Sequence, residues 1–221
     1  EERKHGQLFT IKGAKEILEL LLAECNKAKR VQIQTHCEVQ SITAQTDSGF
    51  IIETNQGTYH CESLVVATGG LSIPTLGGSG FGYELAQQFG HHVFPTRAGL
   101  VPFTFSDHFK EVTTRLSGNA LDATLVNDRH QFTEALLFTH RGLSGPSSLQ
   151  LSNYWHVGES FKIDFFPSQD LVQFFKEKKK SQPKVLLRTL LSEFTAKSIV
   201  LELQQLIWAE QSENAIGNFS D

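Results

Sequence analysis

The sequence predicts an α/β protein joined to an all-β segment, with helices closing the chain. Three observations predict it. An unbroken apolar run, Leu64-Val65-Val66-Ala67, stops at Thr68-Gly69-Gly70. Short strands rich in Phe, Thr and Val occupy 99–166. Helical periodicity takes over from Asp170. The first is the pattern of a parallel strand buried on both faces. Open α/β sheets place nucleotides just beyond the carboxyl end of such a strand. Glycine tolerates positive φ and lets the main chain approach a ligand closely. A dinucleotide cradle and an ordinary glycine-rich turn fit this stretch equally well.

The elements follow in order. Residues 14–29 predict an amphipathic helix, with Ile17, Leu18, Leu21, Leu22 and Cys25 on one face. Val31 and Ile33 alternate with glutamines, as in a strand. Glu38–Ala44, Gly49–Thr54 and Thr58–Cys61 read as a meander turning at Asp47-Ser48-Gly49 and Asn55-Gln56-Gly57. Phe81–Phe89 reads as a helix closed by Gly90. Beyond Pro95, strands are expected at Leu100–Phe105, Leu121–Val126 and Phe161–Phe166, as in a small sandwich or barrel. Helices are expected at 170–179, 184–194 and 196–209, with Pro183 in the first turn of the second.

Composition narrows the function. The 221 residues are 39% hydrophobic and 20% charged, the make-up of a globular chain with a sizeable core. A net charge of -4 leaves no basic footprint for nucleic acid, so none is expected as a partner. Lys176–Lys180 reads as the solvated face of a helix. No apolar run is long enough to cross a bilayer, so no membrane partner is expected. Cys25, Cys37 and Cys61 form neither a redox nor a zinc pattern, and the scattered histidines suggest no metal. Sparse, odd cysteines favour a reducing, cytoplasmic setting. Methionine is absent even at position 1, which predicts an internal piece of a longer polypeptide.

Two knots carry candidate chemistry. Gly77, Gly78, Gly80 and Gly82 do not complete a dinucleotide fingerprint, because Leu85 stands where the last glycine belongs. They read as a flexible lead-in to the 81–89 helix. In His140-Arg141-Gly142-Leu143-Ser144-Gly145-Pro146, a hydrolase would use Ser144 as nucleophile, His140 as base and Asp164 as orienter. Pro146 occupies the position where a nucleophile elbow needs glycine. A glycine-proline turn with local caps is the structural alternative.

The Ala-Thr-Gly-Gly run, followed by Ser72, Pro74, Gly77, Gly80 and Gly82, then Gly90-His91, Leu100-Val101-Pro102 and Phe138–Pro146, resembles the YhiN/BaiN-like FAD-dependent oxidoreductases. These are also described as aminoacetone oxidase family FAD-binding enzymes. The resemblance runs from about Gly6 to the last residue. It implies a partial glutathione-reductase-type FAD-binding domain with an inserted antiparallel β-barrel and a helical subdomain. Residues 1–93 would be the latter part of the FAD domain, 94–166 the barrel, and 167–221 the start of the helical piece. Ala67, Thr68, Gly69 and Gly70 would pack against FAD, and Val39 would offer backbone hydrogen bonds to its adenine. His140, Arg141 and Ser144 would face the flavin or substrate cleft. The expected activity is redox chemistry on a small organic substrate, with NAD(P)H as electron partner. The phosphate-binding βα unit would lie upstream, so poor FAD retention by this piece alone is expected. A folded module without catalysis is the remaining alternative.

Overall fold

A computed structural model describes residues 1–2, 6–45 and 49–220. The chain forms two compact units, Glu1–Val93 and Phe94–Asp221. In the first, helix α1 (Ala14–Lys27) is framed by Glu16 in its first turn and Lys27 in its last, each on the side the helix dipole favours. Strands β1 (Val39–Ala44), β2 (Phe50–Thr54) and β3 (Gly57–Cys61) make an antiparallel meander in the order β1-β2-β3. The turn expected at Asp47-Ser48 lies outside the described residues; Asn55-Gln56 forms the other.

Helix α2 (Phe81–Gln88) ends in a Schellman motif. Gly90, at φ 79°, donates to the Gln87 carbonyl, and His91 donates to Ala86. The Gln88 amide reaches back to the Ile42 carbonyl at 2.7 Å and ties α2 to β1.

Two expectations in this unit fail. Val31–Ile33 and Leu64–Ala67 pair with no strand among the described residues. Val65 is 85% exposed, the opposite of a doubly buried strand. The apolar run supplies side chains for burial, but burial needs neighbouring strands and covering helices, which it cannot supply itself. The apolar face of α1 is equally open, with Ile17 and Leu21 more than half exposed.

The second unit is built on a five-stranded antiparallel sheet in the order β4-β7-β6-β5-β8. Its strands are β4 (Phe103–Thr104), β5 (Ala120–Val126), β6 (Gln131–Thr139), β7 (Gly142–Ser144) and β8 (Lys162–Asp164). The sheet curls. Phe103 on β4 stacks at 4.6 Å on Phe161, which leads into β8, so the two edge strands meet through their rings. Leu125, Leu136 and Phe138 line the concave face, and Ile199 and Leu203 of helix α7 (Lys197–Ile207) share that core.

Helix α3 (His108–Arg115) starts where Asp107 accepts from the Phe109 amide at 3.0 Å. Its Arg115 holds Glu202 of α7 through two hydrogen bonds, at 2.6 and 2.9 Å. Helix α4 (Pro146–Ser152) opens with Pro146 in its first turn. Helices α5 (Leu171–Ser181) and α6 (Leu187–Leu191) follow. Pro183 does not start α6. The Pro183 and Val185 carbonyls accept from Gly217 and Ile216, which holds this stretch outside the helix.

Gly145 sits at φ 90°, and a Cβ there would lie 2.5 Å from the Ala135 carbonyl oxygen. Gly145→Ala is expected to destabilise the second unit by about 3 kcal/mol, read as a lowered denaturation midpoint with an unchanged slope. An unchanged midpoint would show that β6 and α4 can part at no cost.

Candidate functional site

In the first unit, the turn at Ala67-Thr68-Gly69-Gly70 is exposed except for a half-buried Gly70. Its shape is set by the glycine run that follows. A Cβ on Gly78 would lie 2.7 Å from the Gly70 carbonyl oxygen, and one on Gly82 would lie 3.1 Å from the Thr68 hydroxyl. These glycines therefore let the lead-in to α2 press directly on the turn. They are packing residues, not the flexible lead-in the sequence suggested. Tyr83, which sequence reasoning passed over, brings its hydroxyl against Gly70.

The amides of Thr68, Gly69 and Gly70 donate no hydrogen bond to any described residue. Gly69 has φ 70°, and nothing lies within 4 Å of where its Cβ would be. Consecutive N–H groups without a partner among the described residues suit an anionic or hydrogen-bond-accepting ligand. A flavin dinucleotide is such a ligand, and the residues present fit it. Val39 lies at the rim of the same unit, at the start of β1, where the pairing with β2 slips between Val39 and Ser41. Asn55 clamps the chain just before it, accepting from the Glu38 amide and donating to the His36 carbonyl.

The second polar knot resolves into a hairpin. His140 and Arg141 are the two exposed turn residues between β6 and β7. The Thr139 hydroxyl accepts from the Arg141 and Gly142 amides. The Arg141 carbonyl accepts from Phe105, and the His140 carbonyl from Thr114. Gly142 is where Phe103 crosses, with its carbonyl oxygen 2.0 Å from a Cβ position. Backbone packing thus accounts for the glycines, while both long side chains point to solvent.

The geometry removes the hydrolase. Asp164 pairs with Thr124, which pairs with Thr133 near the start of β6. His140 follows the other end of that strand, and the run from Thr133 to Thr139 alone spans about 20 Å. Asp164 instead caps its own turn, accepting from Phe166 at 2.9 Å. Ser144 is half-buried on β7 opposite Leu137.

Two larger cavities open in the second unit, beside smaller ones. One, of about 850 Å³, is walled mainly by apolar side chains of the sheet, α3 and α7. The other, of about 590 Å³, has Phe103, Trp155 and Phe161 in its wall with Arg97, His156 and Glu159. The Arg129 guanidinium, at 2.7 Å, holds the Glu159 carboxyl below its ordinary range, and the His156 amide adds to the effect. Among the described residues, no group of acids, histidines and cysteines is arranged to hold a metal, and the three cysteines are free. No helix is long and apolar enough to cross a membrane.

Comparison with known proteins decides the family. The profile described as the HI0933-like protein Rossmann domain matches residues 1–142, and that of the HI0933-like protein barrel and H2TH domain matches 97–220.

The chain belongs to the HI0933-like family.

This is a family of FAD-dependent oxidoreductase type that includes the YhiN/BaiN kind. A ribosomal RNA dihydrouridine synthase of Escherichia coli is 44% identical over 206 residues, covering 93% of this chain and 51% of its own length. One of Haemophilus influenzae is 40% identical over 225 residues, covering 99% and 55%. A 3-dehydro-bile acid delta(4,6)-reductase of Clostridium scindens is 28% identical over 171 residues, covering 74% and 41%. All three are enzymes. The chain spans about half the length of the two synthases.

The synthase names correct one expectation. The resemblance implies a small organic substrate and the net charge no nucleic acid, whereas these relatives are named for an RNA substrate. Net charge averages over the whole surface and says little about one contact face.

Because Glu159 is held low, its pairing stabilises the fold fully above the ordinary carboxyl range and is lost as pH falls through its depressed value. Arg129→Met is expected to raise the Glu159 titration toward the ordinary range, short of it by what the His156 amide contributes, as followed by carboxyl-resolved NMR. An unmoved titration would assign the shift to the His156 amide alone.

Proposed function

We propose that the longer protein to which this chain corresponds is a flavin-dependent dihydrouridine synthase acting on ribosomal RNA. The observation that carries this reading is the alignment of two proteins of that name along 93% and 99% of the chain. The bare Thr68–Gly70 turn supports the flavin part of it. We further read residues 1–93 as the latter part of a glutathione-reductase-type FAD domain, 94–166 as the inserted barrel and 167–221 as the start of the helical subdomain. The open apolar faces of α1 and Val65 are the surfaces that remaining chain would cover, in keeping with relatives about twice as long.

Forming dihydrouridine saturates the C5–C6 double bond of uracil with one hydride and one proton. The bound flavin would supply the hydride, replenished by a nicotinamide. The chain's own part is positional. The amides of Thr68, Gly69 and Gly70 would hold the FAD, Ala67 would lie against it, and Val39 would offer its main chain to the adenine. Gly78 and Gly82 keep α2 pressed on that turn, so the amides stay aimed without a protein partner. His140 and Arg141 present polar side chains from a hairpin whose backbone is fixed at both carbonyls. That rigidity suits contact with substrate, and Arg141 suits a phosphate. Ser144, half-buried in the same motif, is assigned to support of the hairpin. A reducing cytoplasmic setting, where ribosomal RNA and free thiols both occur, fits this reading.

Two measurements test it. Deleting the gene should abolish one or more dihydrouridines in ribosomal RNA, seen by nucleoside mass spectrometry, and the full-length gene should restore them. An unchanged dihydrouridine content would refute the RNA reading. In the full-length protein, Gly69→Val should cut bound flavin at least roughly tenfold, because a β-branched residue strains at φ 70°. Flavin at wild-type stoichiometry would remove the turn from the cofactor site.

A further inference from the structure

On the barrel-containing unit, rings and guanidinium groups form a connected strip at the margin of the core, with Phe132 packed against that core. His130 and Tyr154 stack face to face at 3.7 Å and 20°, and both are exposed. Phe132 lies alongside, nearly parallel to His130. The Tyr154 carbonyl accepts from the Asn127 amide and the Arg129 guanidinium, which locks the tyrosine's position. Arg129 also grips Glu159, and Glu159 accepts from the His156 amide. Arg97 continues the line. One of its nitrogens donates to His156 Nε2 at 3.0 Å and another to the Asn153 carbonyl at 2.8 Å.

The strip is held by main-chain contacts, so its rings are preorganised. A stacked, solvent-facing aromatic pair is costly to leave open and well suited to receive another flat ring. Arg129 and Glu159 offset one another, and Arg97, which bonds the His156 ring and the Asn153 carbonyl, brings the positive charge that is paired with no carboxylate among the described residues. Asp128 is an exposed carboxylate at the margin. Flat rings beside guanidinium groups are what unpaired nucleobases and their phosphates require. A base-paired helix hides its base faces and would gain nothing from the stack.

We propose that the strip formed by Arg97, Arg129, His130, Tyr154 and His156 docks an unpaired stretch of RNA, its bases stacking on Tyr154 and His130 and its phosphates meeting the arginines. The proposal rests on the RNA reading above and adds that the substrate is bound single-stranded, on this unit. It agrees with the chemistry, since reduction at C5–C6 needs the uracil face exposed.

The test uses the full-length, flavin-loaded protein and a fluorescein-labelled oligouridylate, free or annealed to oligoadenylate, in fluorescence anisotropy. The free strand should bind more tightly than the duplex. Tyr154→Ala should weaken free-strand binding roughly tenfold, and Tyr154→Phe should keep it within about twofold. Arg97→Gln should lower the salt dependence by about one unit of slope. Flavin content and melting temperature should be unchanged in all three variants, which separates lost docking from lost folding. Equal affinity for duplex and free strand would overturn the proposal, as would full affinity in Tyr154→Ala. A wild-type protein that ignores the oligouridylate would also overturn it. Loss of dihydrouridine on gene deletion, scored independently, would still leave the RNA reading standing.

Discussion

At Gly142 the Phe103 carbonyl oxygen comes within 2.0 Å of where a Cβ would stand, and at Gly145 the Ala135 carbonyl comes within 2.5 Å. Close approach of backbone to backbone is the constraint on which both units depend. In the second unit it lets β4 cross the β6–β7 hairpin and seats α4 against β6. In the first, Gly78 does the same against the Gly70 carbonyl, while Gly82 leaves room for the Thr68 side chain. The polar residues in these motifs are displayed on supports that the glycines make possible. A motif dense in glycine and polar residues can therefore be structural and functional at once, with the two roles on different atoms.

The two units differ in how much of their apolar surface they enclose. The second encloses a core in which sheet and α7 share Leu125, Leu136, Phe138 and Ile199. Its Arg115–Glu202 pair joins α3 to α7 across the surface of that core, and the arginine holds the Glu202 carboxyl below its ordinary range. The first leaves Val65 and the α1 face in the open. Such surfaces carry a hydrophobic cost unless something covers them. The relatives, about twice as long, have the chain to do it.

The proposed flavin chemistry and RNA substrate would place different demands on the two units. A dinucleotide asks for unpartnered amides on a turn with no side chain in the way, which the first unit presents at Thr68–Gly70. An unpaired strand asks for flat rings and fixed cations, which the second presents around Tyr154. A whole-chain charge of -4 averages over the surface and does not describe any one face.

The sequence by itself determined what depends on neighbours a few residues away. Helix α1, the β1–β3 meander and α2 with its Gly90 cap follow from periodicity and turn residues. Helices α3 and α4 went unread in the strand-rich texture around them, although Asp107 as a cap and Pro146 in a first turn were local signals for them. Only the tertiary structure decided whether Leu64–Ala67 is buried, whether Asp164 can reach His140, and that Tyr154 lies on His130. Burial needs partners the run does not contain, and the 24 positions from His130 to Tyr154 are closed by strand pairing and arginine bridges. Local sequence sets the conformation of a segment, but the distances that create a site are set by what other segments pack against it.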